Sequence, residues 1–531
     1  MPMNLLSKPL TDKQLRILEI LIVVGISFFP VVFSLPFRIH LDLPWEGAYR
    51  MYIGQMPFKD FKMPLGYGYL VILWMFFKVF GPYLFSLILA QVFINLVAAF
   101  SFRGILKLLN VSQIHILFAV FVFCVSYNFI YFWPWYNQTA MMFQLAGLFF
   151  LLNAVYKEKT GWKHIFCLFL ASTFAFMTFF TKQDYGGLAF IFGGVLLLYN
   201  AFIEKKWLDL VWYVGFFGLV ALAIILPLVP HGFGYWFNYG QPPHEKRVNL
   251  FLILNEFFSA NSAWEKFYIL AVIIIFLNQI SDFKAFVQDK TKVLFTLITL
   301  GMVAEALITK VTSRHASDNT TYYHGFAVAY LLTNIRLNFN LAKIPNLLIV
   351  LVLTFLWWSA MYWKYASRTL TFLAPKTPPS EITKPATPLA NWVKTPFKTF
   401  KRITLPDSTI MGMERIKNLP VVKAKGDKLR VLNLTELTML AYEVPFTPEK
   451  GIPLWYHNGI GIFPEQINEL CQKIEKKEYD IILYEDISTL KEFFAPPLQE
   501  CARKHYKLQD NFFGPRKEAD GVCRVEVYVK E

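Results

Sequence analysis

His40-Leu-Asp-Leu-Pro-Trp-Glu-Gly-Ala-Tyr-Arg-Met-Tyr-Ile-Gly-Gln-Met-Pro-Phe-Lys-Asp-Phe-Lys-Met-Pro-Leu-Gly-Tyr67 is a polar island in an apolar chain. It sets Asp42, Glu46 and Asp60 beside Arg50, Lys59 and Lys62, just beyond an apolar run that begins near Leu15. At the mouth of a membrane cavity such carboxylates serve as general bases or metal ligands, and nearby cations hold a phosphate leaving group. By charge alone the same residues also suit a solvated loop, where acids beside bases are ordinary. The residues on either side of the island decide what kind of chain carries it.

Working outward, the composition is that of a membrane protein: 55% of the 531 residues are hydrophobic and 18% aromatic, above the range of soluble globular domains. The formal charge of +15 is scattered among apolar segments and forms no single stripe. That excludes nucleic acid as the partner and points to lipid headgroups and phosphates. A spanning helix needs roughly 20 apolar residues, which gives about eleven candidates, centred near residues 25, 95, 122, 145, 173, 195, 218, 273, 301, 329 and 353. The first lacks a small-residue cleavage site and reads as a retained span. Tyr67 to Phe80, between Gly66 and Gly81, is apolar but short, and suits an interfacial or re-entrant helix.

Basic residues near the span ends resist translocation. Lys8, Lys13, Arg16, Arg103, Lys107, Lys157, Lys159, Lys163, Lys205, Lys206, Lys284, Lys290, Lys292, Arg336 and Lys343 outweigh the opposite set, Arg38, Arg50, Lys59, Lys62, Lys182, Lys246, Arg247, Lys310 and Arg314, and so place the N-terminus inside a plasma (inner) membrane. An odd number of spans then puts residues 36–66, 230–265 and 311–324, and the C-terminal segment, on the outer face. The expected division is a transmembrane domain over 1–365, a Pro- and Thr-rich linker over 366–425, and a small soluble α/β domain over 426–531.

In that last segment Leu429–Leu434, Asp480–Tyr484 and Val522–Val529 read as strands, and Glu465–Lys477 and Leu490–His505 as helices. It has no Gly-rich phosphate loop, metal cluster or nucleophile elbow, so it is expected to assist rather than to catalyse. Cys124 and Cys167 lie in apolar runs as small hydrophobes. Cys471, Cys501 and Cys523 are read as three unpaired thiols, with a Cys501–Cys523 bridge as the alternative in an oxidising compartment.

One resemblance sharpens the function. Trp45-Glu46-Gly47-Ala48-Tyr49, then Gly54, then Pro57-Phe58-Lys59-Asp60-Phe61 and Pro64-Leu65-Gly66 resemble the first-loop pattern of GT-C type glycosyltransferases, the superfamily of the protein O-mannosyltransferases and the lipid A aminoarabinose transferase. The chain departs from that pattern at Trp45, where many members carry Asp directly before Glu; here Asp42 comes three positions earlier. The resemblance places the catalytic acid on Asp42 and Glu46 jointly and leaves open which is the base. It also implies a polyprenyl-phosphate sugar donor, a glycan, lipid or protein acceptor, and room for a divalent metal, although no His or Cys spacing in the sequence supports a metal on its own.

Thr181-Lys182-Gln183-Asp184-Tyr185-Gly186-Gly187 is similar to the Lys-Gln and Gly step of related transferases and makes Lys182 a candidate for the donor phosphate; the alternative is a lysine snorkelling to the interface. Arg314 is a second phosphate candidate, and His324, with Arg50 and Asp60, is an accessory one. A lipid or small-molecule transporter would share the spans but tends to show inverted repeats and broken helix pairs, and none is evident. A non-catalytic scaffold would make the first-loop acids dispensable.

Overall fold

The computed structural model describes residues 8–38, 40–129, 131–157, 160–240, 249–280, 283–313, 317–370, 375–378, 380, 388–487, 493–516 and 523–531. The chain divides into two compact units, one of residues 1–29, 91–227 and 246–365, the other of residues 30–90, 228–245 and 366–531.

Among the described residues, eight helices are long and apolar enough to cross a membrane: Asp12–Val32, Leu84–Leu108, Tyr136–Tyr156, Gly161–Thr181, Gln183–Glu204, Trp207–His231, Ala260–Gln279 and Lys290–Thr312. The chain is a multi-pass membrane protein. Of the three other expected spans, those near residues 122 and 329 fall in the shorter apolar helices Gln113–Tyr127 and His324–Asn334, and the one near 353 falls in the 27-residue helix Ile344–Leu370. Hydropathy averages over what the backbone does locally. Around residue 329 a 3-10 turn, Ser317–Tyr323, takes Tyr322 and Tyr323 out of the apolar run and leaves a helix of 11 residues. The Gly68–Phe80 helix has 13 residues, the length of an interfacial element.

In the first unit the Tyr136–Tyr156 and Gly161–Thr181 helices pack together. Hydroxyls inside them bond back to their own helix, Ser172 Oγ to Leu168 O at 2.8 Å and Thr178 Oγ1 to Phe174 O at 2.8 Å, which satisfies them without water.

The second unit carries two sheets. A short one, ordered β1-β3-β2, pairs β1 (Leu35–Pro36) in parallel with β3 (Ile403–Leu405), and β3 antiparallel with β2 (Val393–Lys394). Residues directly after the first span therefore share a sheet with residues expected to form a linker. The larger sheet is ordered β4-β5-β7-β6, from β4 (Val431–Leu434), β5 (Ile481–Ile487), β6 (Lys507–Phe513) and β7 (Cys523–Val529). Only the β4–β5 pair is parallel. Helices Pro464–Glu475 and Pro496–His505 bury Ile467, Leu470, Leu498 and Ala502 in the core formed with Leu432, Ile482 and Tyr528.

That helix pair corrects the reading of the cysteines. Cys471 and Cys501 form a disulfide, Cα atoms 5.7 Å apart. Cys523 is instead buried on β7, its Sγ donating to Glu485 Oε1. Neither three free thiols nor a Cys501–Cys523 bridge is present, because facing helix surfaces, which sequence spacing does not reveal, bring Cys471 to Cys501.

Candidate active site

The polar island of the first loop folds as a helix, Asp42–Tyr52. Asp42 in its first turn complements the positive helix N-terminus, and Gly54, at φ +89°, ends the turn that follows. Every residue from Asp42 to Arg50 is buried. Trp45, fully enclosed, stacks on Tyr49 at 4.6 Å between ring centroids, and its indole N–H donates to Pro82 O at 3.1 Å. Trp45 is thus a packing residue, which accounts for the departure from an acid at that position. Gly47 lies where the helix meets Gly68–Phe80: a Cβ there would lie 2.7 Å from Leu70 Cδ1, so the Leu70 side chain would have to shift.

Asp42, Glu46 and Arg50 follow one another at four-residue intervals and share a helix face. Arg50 donates through Nε to Glu46 Oε1 at 2.8 Å, and its Nη2 lies 2.7 Å from the same oxygen. Its Nη1 donates to Gln55 Oε1 at 2.9 Å and to Glu449 O at 2.7 Å. Arg50 is therefore committed to holding Glu46 and the C-terminal segment. Burial raises the Glu46 carboxyl against the opposing pull of Arg50.

Asp42 is placed differently. Its Oδ1 is buried and, among the described residues, meets no hydrogen-bond donor. Burial first, then the negative charges of Glu46 and Glu485, push its carboxyl up to about 7. Just before it, His40 sits in the left-handed backbone region at φ +69°, which a residue other than glycine occupies only when its surroundings demand it. Burial, Arg516 and Arg38 hold its imidazole down at about 4, so it is neutral at physiological pH.

The C-terminal segment comes to the same place. The Glu436 backbone N–H donates to Glu485 Oε2 at 2.5 Å, and Arg516 Nη2 donates to Glu436 Oε1 at 2.7 Å in a fully buried pair. One potential ligand atom from each of His40, Asp42 and Glu436 lies within 4.8 Å of the others. No spacing in the sequence marked this group, because its members come from opposite ends of the chain. An imidazole and two carboxylates fit a divalent cation in donor chemistry.

Asp60 has a local task. Its Oδ2 accepts the Met56 N–H at 2.8 Å, its Oδ1 lies 3.1 Å from Lys450 Nζ, and these contacts, the Met56 amide foremost, lower its carboxyl pKa. The adjoining backbone pairs with the C-terminal segment through Gly451 N to Asp60 O (2.7 Å), Lys62 N to Ile452 O (3.1 Å) and Leu454 N to Lys62 O (2.7 Å).

In the other unit, Lys182 occupies the break between two spanning helices, in extended conformation. A Cβ on Gly186 would lie 1.9 Å from Phe179 Cα, so only glycine permits that close turn. Lys182 Nζ donates to Asp184 Oδ1 at 2.6 Å and to Ser313 Oγ at 2.7 Å, and Asp184 Oδ2 accepts from Thr312 and Ser313 at 2.6 and 2.8 Å. The two segments singled out for phosphate binding therefore meet through Asp184. Arg314, next to Ser313, lies outside the described residues. His324 Nε2 lies 3.0 Å from Glu265 Oε1, Glu265 Oε2 accepts from Lys310 at 2.8 Å, and the Trp358 indole donates to His324 Nδ1 at 3.3 Å. His324 is thus a member of a buried network.

No family model and no curated protein matches the chain. Solved structures do resemble it. ArnT from Cupriavidus metallidurans in the apo state aligns at 10% identity over 96% of this chain and 97% of its own, with a TM-score of 0.36. The same protein bound to undecaprenyl phosphate aligns at 11% identity over the same shares, with a TM-score of 0.35. The archaeal oligosaccharyltransferase AglB from Archaeoglobus fulgidus, in complex with an inhibitory peptide and a dolichol-phosphate, aligns at 10% identity over 94% of this chain and 72% of its own, with a TM-score of 0.42.

Sequence reasoning passed over His40, Glu436, Glu485 and Arg516 as site residues. His40 was in view as the first residue of the island. The other three come from turns and strands of the C-terminal segment, with no local motif to mark them. The one available signal, four-residue spacing from Asp42 through Glu46 to Arg50, points to a shared helix face and not to those partners.

Proposed function

We propose that the chain is an integral membrane glycosyltransferase that moves a sugar from a polyprenyl-phosphate donor to an acceptor hydroxyl on the outer face of the plasma membrane. The observation that carries this reading is the buried, unbonded Asp42 Oδ1 on the helix face it shares with the Arg50-clamped Glu46. A carboxylate so placed takes the proton of an incoming hydroxyl. The acceptor oxygen bonds to the anomeric carbon as the bond from that carbon to the phosphate oxygen breaks, and the lipid phosphate leaves with the electron pair. Asp42 is then the base, and Glu46, fixed by Arg50, is the second acid of the site.

Lys182 and Arg314 are the proposed cations for the departing phosphate, with Asp184 and Ser313 holding the Lys182 amine in position. The spans explain why the protein is built into the membrane, since a polyprenyl donor does not leave the bilayer. The Cys471–Cys501 disulfide supports an oxidising compartment for the C-terminal segment, in keeping with an outer face.

Purified protein in lipid, given a panel of labelled polyprenyl-phosphate sugars, should transfer label to an acceptor. Asp42→Asn should lower that rate by on the order of 10² or more at unchanged protein abundance. Near wild-type transfer by Asp42→Asn would remove the base assignment, and no transfer by wild type across the panel would move the reading to a transporter.

A further inference from the structure

We infer that Lys398, Lys401 and Arg402 bind the phosphate of an anionic phospholipid where the spans Asp12–Val32 and Leu84–Leu108 meet the headgroup layer. The three cations belong to the 3-10 turn Lys398–Phe400 and to the two residues that lead from it into β3, and all are exposed. From Leu389 to Pro406 the chain carries Lys394 besides these and no acid. Among the described residues none of the three forms an ion pair with a carboxylate. The acid that touches the turn, Glu443, spends its Oε1 on the Thr399 N–H (2.7 Å) and hydroxyl (2.5 Å).

Two contacts fix the turn at the ends of the spans. Arg402 Nη1 donates to the carbonyl of Val31, in the last turn of Asp12–Val32. Arg402 Cζ and Lys401 Nζ lie 5.0 and 5.9 Å from the ring centre of Phe85, the second residue of Leu84–Leu108. Cations set over an aromatic ring at a span end keep their charges at the depth of the lipid phosphates. The helix Gly68–Phe80, joined to the same span by Gly81-Pro82-Tyr83, leaves Met75, Val79 and Phe80 exposed, a surface suited to that boundary. On the outer face, where this segment is expected, basic residues are sparse near span ends. Three together without a carboxylate therefore point to an anion supplied by the membrane itself. A zwitterionic headgroup would bring its own cation against them, whereas phosphatidylglycerol brings a phosphate charge alone.

The site is independent of sugar transfer and is read by lipid capture. Full-length protein held on resin in detergent is equilibrated with micelles carrying equal amounts of phosphatidylglycerol and phosphatidylcholine, then washed and eluted. Bound lipids are counted by mass spectrometry. Wild type should retain about fivefold more phosphatidylglycerol, and roughly 0.5 M NaCl should at least halve that ratio. Lys398→Gln combined with Lys401→Gln should bring the ratio to within about twofold of unity. Arg402 is left in place because it caps Val31. Lys423→Gln combined with Lys504→Gln removes the same charge from two exposed positions elsewhere and should keep the wild-type ratio. Equal capture of both lipids by wild type, an unchanged ratio in the Lys398 and Lys401 double variant, or the same loss in the Lys423 and Lys504 control would overturn the site.

Discussion

Arg50 grips Glu46 from one turn further along the same helix, through Nε at 2.8 Å and Nη2 at 2.7 Å, while its third nitrogen reaches the Glu449 carbonyl at 2.7 Å. A single guanidinium thereby fixes the Glu46 carboxylate and ties it to the C-terminal segment. Removing Arg50 strands a buried carboxylate and two acceptors. Arg50→Ala should therefore cost roughly 3–5 kcal/mol of stability, seen as a large drop in thermal midpoint of the purified protein. Arg50→Lys should recover only part of it, since an ammonium cannot span three acceptors with a planar fork. An unchanged midpoint in Arg50→Ala would show that the clamp carries no stability.

Lys182 offers a test of the donor side. If its amine meets the lipid phosphate, Lys182→Ala should weaken donor use by roughly 2–4 kcal/mol, about 30- to 1000-fold in kcat/KM for the lipid-linked sugar. The acceptor KM should stay near its wild-type value. An equal loss toward both substrates would indicate damage to the Asp184–Ser313 junction instead.

Asp60 should behave as a structural residue. Asp60→Asn is expected to leave transfer within about threefold of wild type while lowering stability by about 1 kcal/mol. The Met56 amide holds the Asp60 carboxyl below its ordinary value. Its contribution is therefore complete above the unfolded-state pKa and is lost as pH falls through the lower folded-state value. Thermal midpoints of wild type and Asp60→Asn should converge on acidification below about pH 4. A gap that persists or widens in acid would contradict this role.

Thiol chemistry checks the cysteines without any activity assay. Of five cysteines, Cys124, Cys167 and Cys523 are in no disulfide, so alkylation under denaturing conditions should label three before reduction and five after it. The bridge spans 30 residues, and Cys501→Ser should destabilise the C-terminal fold by about 3–4 kcal/mol. Five labels before reduction would mean that the bridge does not form.

Long-range apolar content was readable because a spanning helix shows itself over some 20 residues at once. The site was readable only where it is local. Asp42 and Glu46 stand in one loop and could be singled out together, but Glu436, Glu485 and Arg516 reach them from the far end of the chain through sheet topology that no short window encodes. The strands tell the same story: β4, β5 and β7 are buried apolar runs and were expected within a few residues of their observed limits. β6, Lys507–Phe513, is an edge strand whose first three residues face solvent, so its polar sequence hid it. Lys182 was singled out correctly as lying at a helix boundary, yet its partner Asp184, two residues on, was not assigned a role.

The backbone pairing between the first loop and residues 449–454 also bears on how the protein is made. Arg50 and the Glu449 carbonyl that it bonds are separated by 399 residues. At a synthesis rate of about 5–20 residues per second, the loop helix waits roughly 20–80 s for its partner. During that interval two acids and an arginine, later buried, must remain hydrated. A chain that stops short of residue 449 leaves Arg50 and the Lys62 amide without the Glu449 and Ile452 carbonyls that accept from them.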